Sequence, residues 1–153
     1  MNWLLVILIL CYPGLAIKPE WYSRLRSADV RGHYMDSRGR IGWYNPETWE
    51  IHIVYSYEQG GRPMLRRLSH EAHHYLARKA KLGDWEKFAD LTMKLARRDH
   101  CSAHQLKTIK GMIAYGGGYE LHAELPWILE GEIPRELQMW YPWFVLREAK
   151  AKP

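Results

Sequence analysis

A chain of 153 residues with 22 Lys and Arg against 17 Asp and Glu carries a formal charge of +5, and its 47% hydrophobic content suits a folded protein with one modest core. The basic residues are scattered among acids, without the dense run of a nucleic-acid arm, which argues against nucleic acid as a partner. Two cysteines, Cys11 and Cys101, exclude a disulfide scaffold, and 8 Trp and 10 Tyr against 2 Phe suit half-buried surfaces and grooves.

The first sixteen residues, MNWLLVILILCYPGLA, hold no charged side chain, and Trp3 to Leu10 is an unbroken apolar run. The run has the length of a secretory h-region, and Gly14-Leu15-Ala16 sets small residues for a cut before Ile17. It falls short of the roughly 20 residues that a spanning helix needs, and no Lys or Arg precedes it. Residues 1–16 are therefore expected to be a signal peptide or a membrane anchor, with a buried N-terminal helix as the alternative. Export makes the protein secreted or periplasmic, or held at a membrane through that segment alone. Residues 17–153 are expected to fold as a single domain and to act as a monomer.

After a polar connection with a short helix, the stretch RGHYMDSRGRIGWYNPETWEIHIVYSY is dense in Tyr, Trp, Ile and Val. Turns at Ser37-Arg38-Gly39 and Asn45-Pro46-Glu47 divide it into strands near 31–35, 40–44 and 48–55. In the last, Trp49, Ile51, Ile53 and Tyr55 alternate with Glu50, His52 and Val54, as one buried and one mostly polar face of an antiparallel sheet require. Gly60-Gly61-Arg62-Pro63 ends the sheet and opens a helix. Met64, Leu65, Leu68, Ala72, Tyr75, Leu76 and Ala80 then recur at helical spacing to about Lys81, and Gly83 stops it. Asp84 is the expected N-cap of a second helix, Ser102 to Ala114 a third, and Tyr119 to Leu129 a fourth beyond a flexible Gly116-Gly117-Gly118. The end, IPRELQMWYPWFVLREAKAKP, reads as aromatic-rich helix interrupted by Pro142, forming a core helix or a cap over a cleft. The expected class is α+β, a small antiparallel three-stranded sheet followed by a helical bundle.

Chemistry concentrates in His70-Glu71-Ala72-His73-His74. His70 and His74 are four apart, so on a helix they share a face about 40° wide and both imidazoles can reach one ion. Glu71, turned about 100° from His70, can reach a water on that ion without taking a ligand position. This H-E-x-x-H spacing is the zinc helix pattern of metalloproteases. His73 lies on the other side of His70, solvent-facing or supporting. Downstream, Glu120 and Glu124 stand four apart on another expected helix. Glu120 completes a His₂Glu set of three protein ligands for one zinc ion, and Glu124 can hydrogen-bond a ligand imidazole and fix its tautomer.

Together, His70-Glu71-Ala72-His73-His74 and Glu120-Leu121-His122-Ala123-Glu124 resemble the gluzincin arrangement of zinc metallopeptidases. In that family the third ligand is the glutamate of an E-x-x-x-D or E-x-x-A-D helix. This chain carries Glu124 where the family has Asp. The resemblance covers residues near 31 to 130, and the small size is similar to that of minigluzincins. It implies hydrolysis of peptide bonds in a peptide or protein substrate, with Glu71 taking the water's proton and delivering it to the leaving amine. Tyr115, Tyr119 and His122 are the nearby candidates for an oxyanion donor. The resemblance also implies that an extended substrate pairs with a sheet edge, for which Trp49–Tyr55 is the candidate strand.

Two other readings compete. His100-Cys101 with His104 suggests a thiol site, although no partner carboxylate stands out. A non-catalytic secreted binding protein with a structural zinc site would need a closed fourth ligand position, which His122 could supply.

Overall fold

The computed structural model describes residues 3–25, 29–34, 42–55, 61–99 and 101–146. In chain order the elements are α1 Trp3–Cys11, β1 Ala16–Ile17, α2 Tyr22–Leu25, β2 Asp29–Tyr34, β3 Gly42–Asn45, β4 Glu50–Tyr55, α3 Gly61–Lys79, α4 Trp85–Arg98, α5 Ala103–Ile128 and β5 Phe144–Val145. Helix and strand are mixed, as expected, and helix predominates. The chain forms two compact units, residues 1–13 with 19–81 and residues 14–18 with 82–153.

In the first unit, α3 is the central helix. Its apolar positions bury Ala72, Tyr75 and Leu76 completely, as helical spacing demands. Tyr75 takes the rings of Tyr44 and Trp49 edge-on, at centroid distances of 5.9 and 5.8 Å, so the β3–β4 hairpin rests on this helix. The hairpin turn is built as its residues dictate. Asn45 Oδ1 accepts from the Glu47 N–H at 3.0 Å, and the Asn45 carbonyl accepts from Trp49 N–H at 2.9 Å. Trp49 closes the turn at φ 59, a left-handed conformation that costs roughly 1–2 kcal/mol for a residue with a Cβ. Its ring compensates by packing on Tyr75 and by receiving the Lys79 ammonium 4.9 Å from its centroid.

The all-antiparallel sheet of the sequence reading does not form. β3 pairs antiparallel with β4, but β2 lies along the other side of β4 in parallel register, Asp29 opposite Glu50 through Tyr34 opposite Tyr55. The hairpin occupies one side of β4 and leaves β2 the other, where it runs in the direction of β4. The expected turn at Ser37-Arg38-Gly39 lies outside the described residues. The alternation expected along β4 holds for Ile51 but not for His52. Ile51 is fully buried, while Glu50 meets Arg31 at 3.0 Å and His52 at 2.9 Å. The His52 ring N–H beside Glu50 holds that carboxyl below the usual glutamate value. His52 departs from the exposed polar face expected of it, because Trp43 stacks flat on its ring at 4.7 Å and covers it.

The apolar N-terminal run is the helix α1, and it packs on α3 with Leu4, Ile7, Leu8 and Tyr12 buried, while Ile9 and Leu10 are exposed. The Cys11 thiol donates to the Leu65 carbonyl at 3.5 Å, and burial pushes its pKa up to about 12. Among the described residues no helix is long and apolar enough to cross a membrane.

The second unit packs α4 against α5 and closes with the C-terminal aromatics. Asp84 precedes α4 as expected but does not cap it. It sits at φ 56, outside the extended conformation from which a side chain reaches the first-turn N–H groups, and makes no such bond. Ser102 does cap α5, accepting from Gln105 N–H at 3.1 Å while Gln105 Oε1 accepts from Ser102 N–H at 3.0 Å. The two helices expected here are the two halves of α5, which meet at a kink where the glycine break was expected, with non-helical backbone at Gly116 and Gly117.

Pro126 lies inside α5 and has no N–H to give the carbonyl one turn back, that of His122. The Tyr141 hydroxyl donates to that carbonyl at 2.7 Å. The expected C-terminal helix is instead a 3₁₀ turn, Arg135–Trp140, followed by β5, which pairs antiparallel with β1. Pro134 and Pro142 bracket a stretch too short for a stable α-helix. The aromatics go to the core all the same: Trp140, Tyr141, Trp143 and Phe144 are buried.

Candidate metal centre

Helix α3 delivers both histidines of the pattern as its period requires. His70 and His74 face each other edge to face, with ring centroids 4.6 Å apart and Nε2 atoms 3.0 Å apart. Two ligand nitrogens on one tetrahedral zinc, each about 2.0–2.1 Å from it, stand about 3.3 Å apart. The pair therefore stands within a few tenths of an ångström of that requirement. His74 is buried and His70 half-buried.

His70, His74 and Glu120 form a group in which each offers one ligand atom, all three atoms lying within 4.8 Å of one another. A glutamate can shorten such a gap by turning about its side-chain torsions, and two neutral imidazoles with one carboxylate form a donor set that zinc accepts. The residues present fit the ion. Glu71 is half-buried on α3 beside His70.

Of the two roles the sequence offered His73, solvent-facing or supporting, the first is excluded, since it is fully buried in the first unit. Its Nδ1–H donates to the Ser69 carbonyl at 2.7 Å, its ring meets the edge of Tyr12 at 6.0 Å, and the Ser69 hydroxyl bonds to the Tyr12 hydroxyl. This trio ties α3 to the end of α1 just behind the histidine pair. Ser69 was findable, since it lies one turn before His73. Tyr12, at a separation of 57 residues, was not.

Glu124 is buried, 4% exposed. A carboxylate taken that far out of water has to be met by hydrogen bonds or positive charge. His122, which the sequence offered as a fourth ligand or an oxyanion donor, is fully buried in the second unit within an aromatic cage. It stacks on Tyr141 at 4.4 Å and touches Trp85, Phe88 and Trp143 at 5.1, 5.5 and 5.8 Å. Its Nε2–H donates to the Trp140 carbonyl at 2.5 Å, which directs the ring into the core and removes it from both roles. Tyr119 leans edge-on against Trp85 at 5.5 Å, and Tyr115 is 80% exposed. Neither belongs to the His–His–Glu group.

β4 is flanked on both sides, by β2 and β3, so its backbone is committed and it is not the sheet edge expected to take a substrate. The thiol reading also loses its basis. Burial, then the nearby Asp99 carboxylate, raises the Cys101 pKa, the opposite of what a nucleophilic thiolate needs. His104 is exposed to solvent, and His100 lies outside the described residues.

Comparison of the chain with known protein families, with curated proteins and with solved structures finds no match.

Proposed function

We propose that this chain is a zinc-dependent metallopeptidase of gluzincin type, with His70, His74 and Glu120 holding one zinc ion and Glu71 serving as general base. The observation that carries the reading is the convergence of three ligand atoms, two from a histidine pair and one from a glutamate 46 positions beyond the second histidine, with another glutamate directly after the first histidine. When bound, zinc supplies Lewis acidity, lowering the pKa of water toward 7 and polarising a carbonyl. The protein's own contribution is positional. α3 holds the two imidazole Nε2 atoms 3.0 Å apart, where they would hold the ion, and a Glu71 carboxylate oxygen would take a proton from the attacking water and hand it to the leaving amine.

Glu71 decides between a hydrolase and a structural zinc site, since a purely structural site has no use for it. Glu71→Gln keeps size and hydrogen bonding but removes the base. It is expected to abolish cleavage of a mixed peptide pool while leaving one zinc per chain by elemental analysis. Cleavage at the wild-type rate would remove Glu71 from the mechanism. A wild-type chain that binds zinc yet cleaves nothing would favour a secreted binding protein. His70→Ala and Glu120→Ala are expected to lose zinc, and full zinc occupancy in Glu120→Ala would refute the third ligand.

A further inference from the structure

The three consecutive glycines of α5 are chemically identical but face different constraints. Gly117 has φ 68 and ψ −158, a region that residues with a side chain do not enter without strain. Gly118 is buried, and a methyl group there would lie 1.9 Å from the Trp85 carbonyl oxygen, so its bareness lets the start of α4 approach α5. Gly116 is exposed, and neither of those reasons applies to it. Its constraint comes from Glu120, because a Cβ at 116 would stand 2.1 Å from Glu120 Cγ and 3.0 Å from Glu120 Cβ.

Glu120 stands in the part of α5 beyond the kink, its side chain leaning back toward the start of that part, and the non-helical backbone of Gly116 and Gly117 folds position 116 against it. Here it occupies the volume that any other residue at 116 would fill with its own Cβ. The collision falls at the root of the glutamate, where a small torsion adjustment cannot relieve it. Glu120 would have to leave its rotamer, carrying the carboxylate away from the two histidine nitrogens.

We propose that Gly116 is a positioning residue for the third zinc ligand, its absent side chain being the space in which Glu120 lies when its carboxylate joins His70 and His74. This rests on the zinc-site reading above and adds a residue that touches neither metal nor substrate.

The test is made on the full chain with Zn²⁺ alone, by competition against a chromophoric chelator, and with Co²⁺ as a spectroscopic probe. Gly116→Ala is expected to weaken zinc binding about 10- to 100-fold, as loss of a ligand-orienting contact does. It is also expected to alter the cobalt spectrum, with the melting temperature of the metal-free protein unchanged. Gly111→Ala, at a position with open space around it, is expected to bind like wild type. Because Gly116 acts through Glu120, the double variant Gly116→Ala/Glu120→Ala is expected to match Glu120→Ala alone. Wild-type affinity in Gly116→Ala together with weak binding in Glu120→Ala would overturn the proposal and leave the zinc site standing. Wild-type affinity in Glu120→Ala would overturn both. If Gly116→Ala fails to fold, recovery of folding in the double variant supports the collision, and failure of both makes the glycine a structural requirement and ends the proposal.

Discussion

At the scale of single residues, Pro126 shows how a local fault is mended from far along the chain. A proline inside a helix normally leaves a carbonyl without its donor and kinks the axis. In α5 the carbonyl belongs to His122, and Tyr141 supplies a hydroxyl in place of the missing N–H while its ring stacks on the same histidine. Tyr141→Phe keeps the ring and removes the donor. It is expected to cost about 1–3 kcal/mol, the range for leaving a buried acceptor unmet, read as a lower urea midpoint with an unchanged slope. An unchanged midpoint would mean that the stacking alone holds this junction. At this scale the sequence was most legible where chemistry is local. The shared face of His70 and His74 follows from the helical period, and the Ser102 cap from residue type. The burial of His73 and the caging of His122 were not legible, because their neighbours Tyr12, Trp140 and Tyr141 arrive from distant positions that no periodicity connects to them.

At the scale of elements, the close approach of α4 to α5 depends on position 118. Gly118→Ala would drive a methyl group into the Trp85 backbone, which unlike a flexible side-chain tip cannot swing aside. It is expected to destabilise the chain by about 1–3 kcal/mol, as overpacking does, and to red-shift Trp fluorescence if Trp85 loses its cover. A wild-type melting temperature would show that the two helices separate without penalty. The existence and order of the elements could be read from hydrophobic period and turn residues, and α3, α4 and β4 begin and end within a few residues of expectation. The partner of each strand could not. Pairing depends on which side of β4 is left vacant, a property of the assembled sheet, and the parallel β2 is the result. The C-terminal segment misled for a related reason. Its aromatics mark it as core, but two prolines eight residues apart, Pro134 and Pro142, decide its backbone, and tight 3₁₀ winding satisfies both demands.

At the scale of the whole molecule, a metal that binds only the folded chain adds its binding free energy to stability. Zinc at a hundred times its dissociation constant is expected to stabilise the protein by about 2.7 kcal/mol. The measurement is a calorimetric melt with and without zinc, with His70→Ala as the variant in which the increment vanishes. A melt insensitive to both zinc and chelator would argue that no site of useful affinity exists.

The short strand β1 bears on any processing of the first sixteen residues. The bond between Ala16 and Ile17, where a leader peptidase would cut, lies inside β1, with Ala16 opposite Val145 and Ile17 opposite Phe144, and Lys18 N–H donates to the Trp143 carbonyl at 2.8 Å. A processing enzyme needs that bond extended and unpaired. With β5 in place the bond is held in a ladder, so a peptidase that cuts there would meet it paired in the folded chain. The cut would remove α1 and, with it, the Tyr12 contact behind the histidines.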